Sequence, residues 1–121
     1  MNILLAEDTT DLADLMLLLI KSTYEVKVVW KPDGLEALEE FKSCSELDGD
    51  SYNFVITDRN MPKMSGLELA KNLNTIDPEM PVILWTSDYH IPPQTTHLFK
   101  EVVPKSKTMS WIGLGLKEYL D

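Results

Sequence analysis

The chain has 121 residues, 20 acidic against 11 basic side chains, a net charge of -9 and one cysteine, Cys44. That length makes one domain, 1–121, able to bury a core unaided; a lone cysteine excludes an internal disulfide, and no zinc-type Cys/His spacing or signal peptide is present, so a cytoplasmic setting is expected. The acidic balance opposes binding to nucleic acid or an anionic membrane, and the apolar run 15–20 is too short to cross a bilayer.

Residues 2–6, NILLA, predict a buried strand closed by Glu7 and Asp8, and a helical period follows through Leu12, Leu15, Met16 and Leu19. Residues 26–30, VKVVW, predict a second strand. Asp33 with Glu36 three residues on has the form of a capping box and opens a helix carrying Leu35, Leu38 and Phe41. The stretch 43–52, SCSELDGDSY, reads as a polar loop. Residues 53–57, NFVIT, predict a third strand that runs into Asp58, and Ser65 with Glu68 marks a second capping box before Leu69, Leu73 and Ile76. Residues 82–86, VILWT, predict a fourth strand ending in Thr86. The next helix must fit within 87–99 and has room for about two turns starting at Pro92 and Pro93, since proline is tolerated in a first turn and not inside a helix. A weaker strand, 101–103, precedes Lys105, and Ile112, Leu116, Tyr119 and Leu120 mark a last helix.

Alternating strands and helices with near-continuous apolar strands predict an α/β fold, a parallel sheet covered on both faces. Every strand then ends at the same edge, where such sheets bind ligands. Glu7, Asp8, Asp58, Thr86 and Lys105 all stand at strand ends and are predicted to converge there. Three carboxylates in one small volume repel unless a cation lies among them, and a set of hard oxygens suits Mg2+. A carboxylate oxygen left off the metal can attack phosphorus, with Lys105 and Thr86 placed to meet the phosphoryl oxygens.

The ordered motifs NILLAED, DRNMPKMSG, VILWTS and VVPKSK together resemble the receiver domains of two-component response regulators over the whole chain. The resemblance implies a doubly wound (βα)5 flavodoxin-like fold with strand order 2-1-3-4-5. It implies Asp58 as phosphoacceptor; Asp8 and the backbone carbonyl of Asn60 as Mg2+ ligands; and Glu7 as the companion acid, often acting through metal-bound water. Thr86 and Lys105 would engage the phosphoryl group, while Ser87, Met61, Pro62 and Gly66 match the surrounding turns. It further implies a phosphoacceptor that is not itself a conventional enzyme, served by a sensor histidine kinase or a histidine phosphotransfer protein. Output would pass to a downstream protein or a second copy through the face of the fourth helix, fifth strand and fifth helix.

This chain departs from the family pattern at four places. Ser65 stands where an acid is common, Ser106 replaces the usual proline after the lysine and predicts a trans bond, and Val102 stands where a switching aromatic is common. The short segment 87–100 is the fourth. Switching is therefore expected to rest on movement of 87–99, with Val102 as passive packing. Taken singly, His90 and His97 read as surface residues, and Trp30, Trp85 and Trp111 as packing residues. A haloacid-type phosphatase would need an acid at position 60, and a flavodoxin-type cofactor binder would need a phosphate-cradling loop after the first strand; neither is present. The remaining rival is a non-phosphorylated pseudo-receiver that only binds protein.

Overall fold

The structure, a computed structural model, describes residues 1–47, 52–87 and 90–120. Five strands, β1 (Asn2–Ala6), β2 (Lys27–Lys31), β3 (Phe54–Thr57), β4 (Val82–Thr86) and β5 (Glu101–Pro104), form one sheet in the order β2-β1-β3-β4-β5. Every neighbouring pair is parallel. This is the doubly wound arrangement expected from the sequence, and it leaves two faces to cover.

Successive side chains of a strand point to opposite faces, so each central strand feeds two cores. Ile3, Leu5, Phe54, Ile56, Ile83 and Trp85 pack under α1 (Thr10–Thr23) and the terminal helix. Leu4, Ala6, Val55, Val82 and Leu84 pack under α2 (Gly34–Leu47) and α3 (Gly66–Ile76). Fully burying both faces is why these strands are continuous apolar runs.

Both expected caps form: Asp33 Oδ1 accepts from the Glu36 N–H at 2.8 Å and Ser65 Oγ from the Glu68 N–H at 3.2 Å. Among the residues of helical period, Leu15, Leu35 and Ile76 are exposed. In α1 the buried stripe is Ala13, Met16 and Ile20, because the helix turns its smallest apolar side chain, rather than Leu15, against the tightly packed sheet. The polar-loop reading of 43–52 is corrected in part: α2 continues to Leu47, as Ser, Glu and Leu accept helical backbone, and 48–51 lie outside the described residues.

The fourth helix is a 3-10 segment, Pro93–Leu98, with proline in its first turn. The hydroxyls of Thr95 and Thr96 donate back to the carbonyls of Pro92 and Pro93 at 2.8 and 2.9 Å, which closes these tight turns locally. The last helix is more irregular than its period suggests. A 3-10 turn (Lys105–Lys107) leads into an α turn (Thr108–Ser110), a π turn (Trp111–Gly115) and a final α turn (Lys117–Leu120). Within it the Leu116 N–H donates to the Trp111 carbonyl at 2.8 Å, a π-type bond across five residues. The bond between Lys105 and Ser106 is trans, as expected.

Candidate functional site

Sheet register brings the site's backbone together. Ala6 pairs with Thr57, and Thr57 with Leu84, while Thr86 pairs with Pro104. The ladder continues one step beyond the strands: the Asp58 N–H donates to the Ala6 carbonyl at 2.9 Å and the Glu7 N–H to the Lys31 carbonyl at 3.1 Å. Glu7 and Asp58 thus leave the sheet side by side, with Thr86 and Lys105 at the same edge on the neighbouring strands. Thr86 is buried at its strand end, and Ser87 and Asn60 are exposed in the adjoining loops.

One carboxylate oxygen from each of Glu7, Asp8 and Asp58 lies within 4.8 Å of the others. Glu7 is fully buried, Asp58 is 9% exposed and Asp8 faces solvent, so the cluster opens outward through Asp8. The Lys105 ammonium sits 2.9 Å from Glu7 Oε1 and 3.2 Å from Asp58 Oδ2. The second oxygens are anchored by backbone: Glu7 Oε2 accepts from the Thr9 N–H at 3.1 Å, and Asp58 Oδ1 from the Arg59 N–H at 2.7 Å.

Burial pushes the Glu7 carboxyl up to about 7, and the charge of Asp58 adds to the rise; the Lys105 contact and the Thr9 N–H pull it down without offsetting the loss of water. Burial lowers Lys105, yet its contacts with Glu7 and Asp58 outweigh that and raise it overall. The two shifts are compatible because Glu7 is the more deeply buried partner. Apart from that 2.9 Å ion pair, Glu7 Oε1 is buried with no hydrogen bond among the described residues. A buried oxygen met only by the Lys105 ammonium, within a cluster of three carboxylates, fits a small, hard divalent cation such as Mg2+.

The loop from Asp58 to Gly66 is set by close backbone approach. A Cβ on Gly66 would lie 2.1 Å from the Asp58 carbonyl oxygen, and one on Gly34 would lie 2.3 Å from that of Met64. The Gly66 N–H donates to the Arg59 carbonyl at 2.7 Å, closing the loop on itself. Lys63 takes a left-handed φ of 67°, and its ammonium is 3.8 Å from the buried Asp33 carboxylate that caps α2. The Arg59 guanidinium reaches across to the His90 carbonyl at 2.5 Å. His90 and His97 are themselves exposed and outside the acid cluster.

Two tryptophans read as packing residues also touch the site. Trp30 Nε1 donates to the Glu7 carbonyl at 2.8 Å. Trp85 Nε1 donates to Thr108 Oγ1 at 2.9 Å, and the Lys105 ammonium stands 4.9 Å from the centre of a Trp85 ring. The available signal was position: Trp85 directly precedes Thr86 at a strand end, and Trp30 lies in the strand beside β1.

Residues 3–101 match the family model described as the response regulator receiver domain. The response regulator RppA of Synechocystis sp. is 34% identical over 88 residues, which are 72% of this chain and 35% of that protein, so the match spans about a third of the relative's length. Among solved structures, the response regulator TrrA of Thermotoga maritima, in complex with Mg2+ and BeF, aligns at 25% identity over 98% of this chain and 97% of that one, with a TM-score of 0.85. The chemotaxis protein CheY4 of Vibrio cholerae shares the fold at 18% identity over 98% and 97% of the two chains, with a TM-score of 0.79.

Proposed function

We propose, for a chain that belongs to the response regulator receiver domain family of two-component signalling, a phosphoacceptor role centred on Asp58. The observation that carries it is the Lys105 ammonium bridging Glu7 and Asp58 beside the exposed Asp8 carboxylate. Asp8, Asp58 and the Asn60 carbonyl would hold Mg2+, with Glu7 alongside. The ion, when bound, offsets the carboxylate repulsion and neutralises charge on the phosphoryl oxygens.

An Asp58 carboxylate oxygen attacks the phosphorus of a phosphoimidazole. The new O–P bond forms as the N–P bond breaks, and the electron pair returns to the imidazole nitrogen, which takes up a proton. Lys105 then exchanges part of its ion pairing with Asp58 for the phosphoryl oxygens, and Thr86 offers its hydroxyl from the next strand. The donor would be a sensor histidine kinase or a histidine phosphotransfer protein, and the setting cytosolic. The chain would act as an acceptor that catalyses its own loading and hydrolysis, not as a conventional enzyme. Its phosphorylated state would be read by a partner or a second copy at the face formed by 91–99, Val102 and the terminal helix. The expectation that 87–99 moves on switching falls partly on residues 88 and 89, outside the described residues.

Intact-mass measurement with phosphoramidate tests this. The parent should gain one Mg2+-dependent phosphoryl group and Asp58→Asn none. A parent that never gains the mass, or an Asp58→Asn variant that gains it equally, would leave only the protein-binding pseudo-receiver or another acceptor.

A further inference from the structure

Lys105 is a long, flexible cation at the start of a three-residue 3-10 turn, yet its ammonium meets two separate carboxylates. An ammonium on a four-carbon stem has no directional fork of its own, so contacts along the stem and at its backbone bear on how it reaches those acids. The Thr108 hydroxyl is buried and donates to the Lys105 carbonyl at 2.6 Å. With its one proton committed there, it accepts from Trp85 Nε1 at 2.9 Å, and the indole can only donate. The direction of both bonds is therefore fixed. The same indole, almost fully buried in β4, presents its ring to the Lys105 ammonium at 4.9 Å, within cation–π range.

We propose that Trp85 and Thr108 are positioning residues for Lys105, holding its backbone through the hydroxyl and its ammonium over the indole so that it is delivered to Glu7 and Asp58. The inference deepens the phosphoacceptor reading and in its functional part rests on it. A purely structural Trp85–Thr108 bond would satisfy a buried donor and leave the lysine's conformation unchanged.

The test has one arm without metal or phosphoryl donor and one with both. In the first, NMR follows the ε-methylene signals of Lys105, which the indole ring current should shift upfield in the parent. Thr108→Val should move them toward free-lysine positions, Thr108→Ser should restore them, and Trp85→Phe, which keeps a ring and loses the N–H, should give an intermediate shift. In the second arm, at saturating Mg2+, Thr108→Val should slow phosphorylation by phosphoramidate on the order of tenfold to a hundredfold, as expected for a misplaced reacting group, without weakening Mg2+ binding. The same substitution in a Lys105→Ala background should add nothing further. Lysine signals unchanged by Thr108→Val, or equal slowing with and without Lys105, would overturn the proposal. If Thr108→Val does not fold, Thr108→Ala, which leaves the indole that supplies the ring current in place, carries both arms with the same criteria. If the parent takes up no phosphoryl group, the phosphoacceptor reading fails, and the metal-free arm still decides whether Trp85 and Thr108 position Lys105.

Discussion

The two halves of the site edge are built by different means. On the β1–β3 side, Glu7 and Asp58 are placed by the sheet ladder and by backbone packed so closely that only glycine fits at 34 and 66. On the β4–β5 side, Lys105 is placed by side chains: an indole, a threonine hydroxyl and two carboxylates, around a helix that changes its winding three times. Backbone placement leaves little room for adjustment, whereas side-chain placement can be retuned by single substitutions. The acids are thus the rigid half of the site and the cation its adjustable half.

The contrast is broken most severely at Gly66. Gly66→Ala places a methyl group against the Asp58 carbonyl, which has no rotamer to escape into, and should cost about 3 kcal/mol or more, as overpacking against fixed atoms does. Urea unfolding measures that loss. Gly113→Ala, whose Cβ would meet nothing within 4 Å, should change stability by less than about 1 kcal/mol in either direction and serves as the control.

Mg2+ sharpens the rigid half from the other side. A cation bound by the folded protein alone should add about 2.7 kcal/mol at a hundredfold excess over its dissociation constant, read as a rise in Tm, and Asp8→Ala should lose most of that rise. An unchanged response in Asp8→Ala would place the ion elsewhere.

In metal-free protein, Glu7 gives the rigid half a pH signature. Its folded value, about 7, lies above its ordinary 4.5, so between those values the unfolded chain has released a proton that the folded protein keeps. The stabilisation is complete below about 4.5 and is lost as pH rises toward about 7. Tm measured in chelator should fall across that window, and Glu7→Gln should flatten the fall. A parent-like slope in Glu7→Gln would mean that another group titrates.

The smallest effect belongs to the adjustable half. Trp111 Nε1 and the Tyr119 hydroxyl both donate to Glu101 Oε1, each at 2.9 Å. Tyr119→Phe should cost about 1 kcal/mol by urea unfolding and leave Mg2+ affinity unchanged. Weakened metal binding would show that the two halves are coupled through β5.

The rigid half was also the more legible in sequence. Continuous apolar strands, two capping boxes and acids at strand ends are local patterns, and they led to the parallel sheet and the grouping of Glu7, Asp8 and Asp58, whereas the strand order came from the family resemblance. The adjustable half depends on contacts between distant parts of the chain, such as Trp85 with Thr108 and the Tyr24 hydroxyl with the Ile112 carbonyl at 2.7 Å. No local period encodes these. Ile112, Leu116 and Tyr119 fit a helical stripe whether or not one turn is wide, so periodicity gave the helix and missed its π turn. Leu15 illustrates the same limit, since a period selects a helix face only to within one residue's rotation.

The π turn bears on the length of the chain. Since the Leu116 N–H reaches the Trp111 carbonyl across five residues, that turn holds one residue more than an α turn between the same two hydrogen-bonding groups. Gly113 lies inside it and is exposed, with open space where a side chain would stand. Excising Gly113 would make the same bond an ordinary α-type one and keep Trp111 and Leu116 as its partners. The helix therefore carries a removable residue: a deletion, usually the most disruptive of changes inside a helix, is here a route to a more regular one.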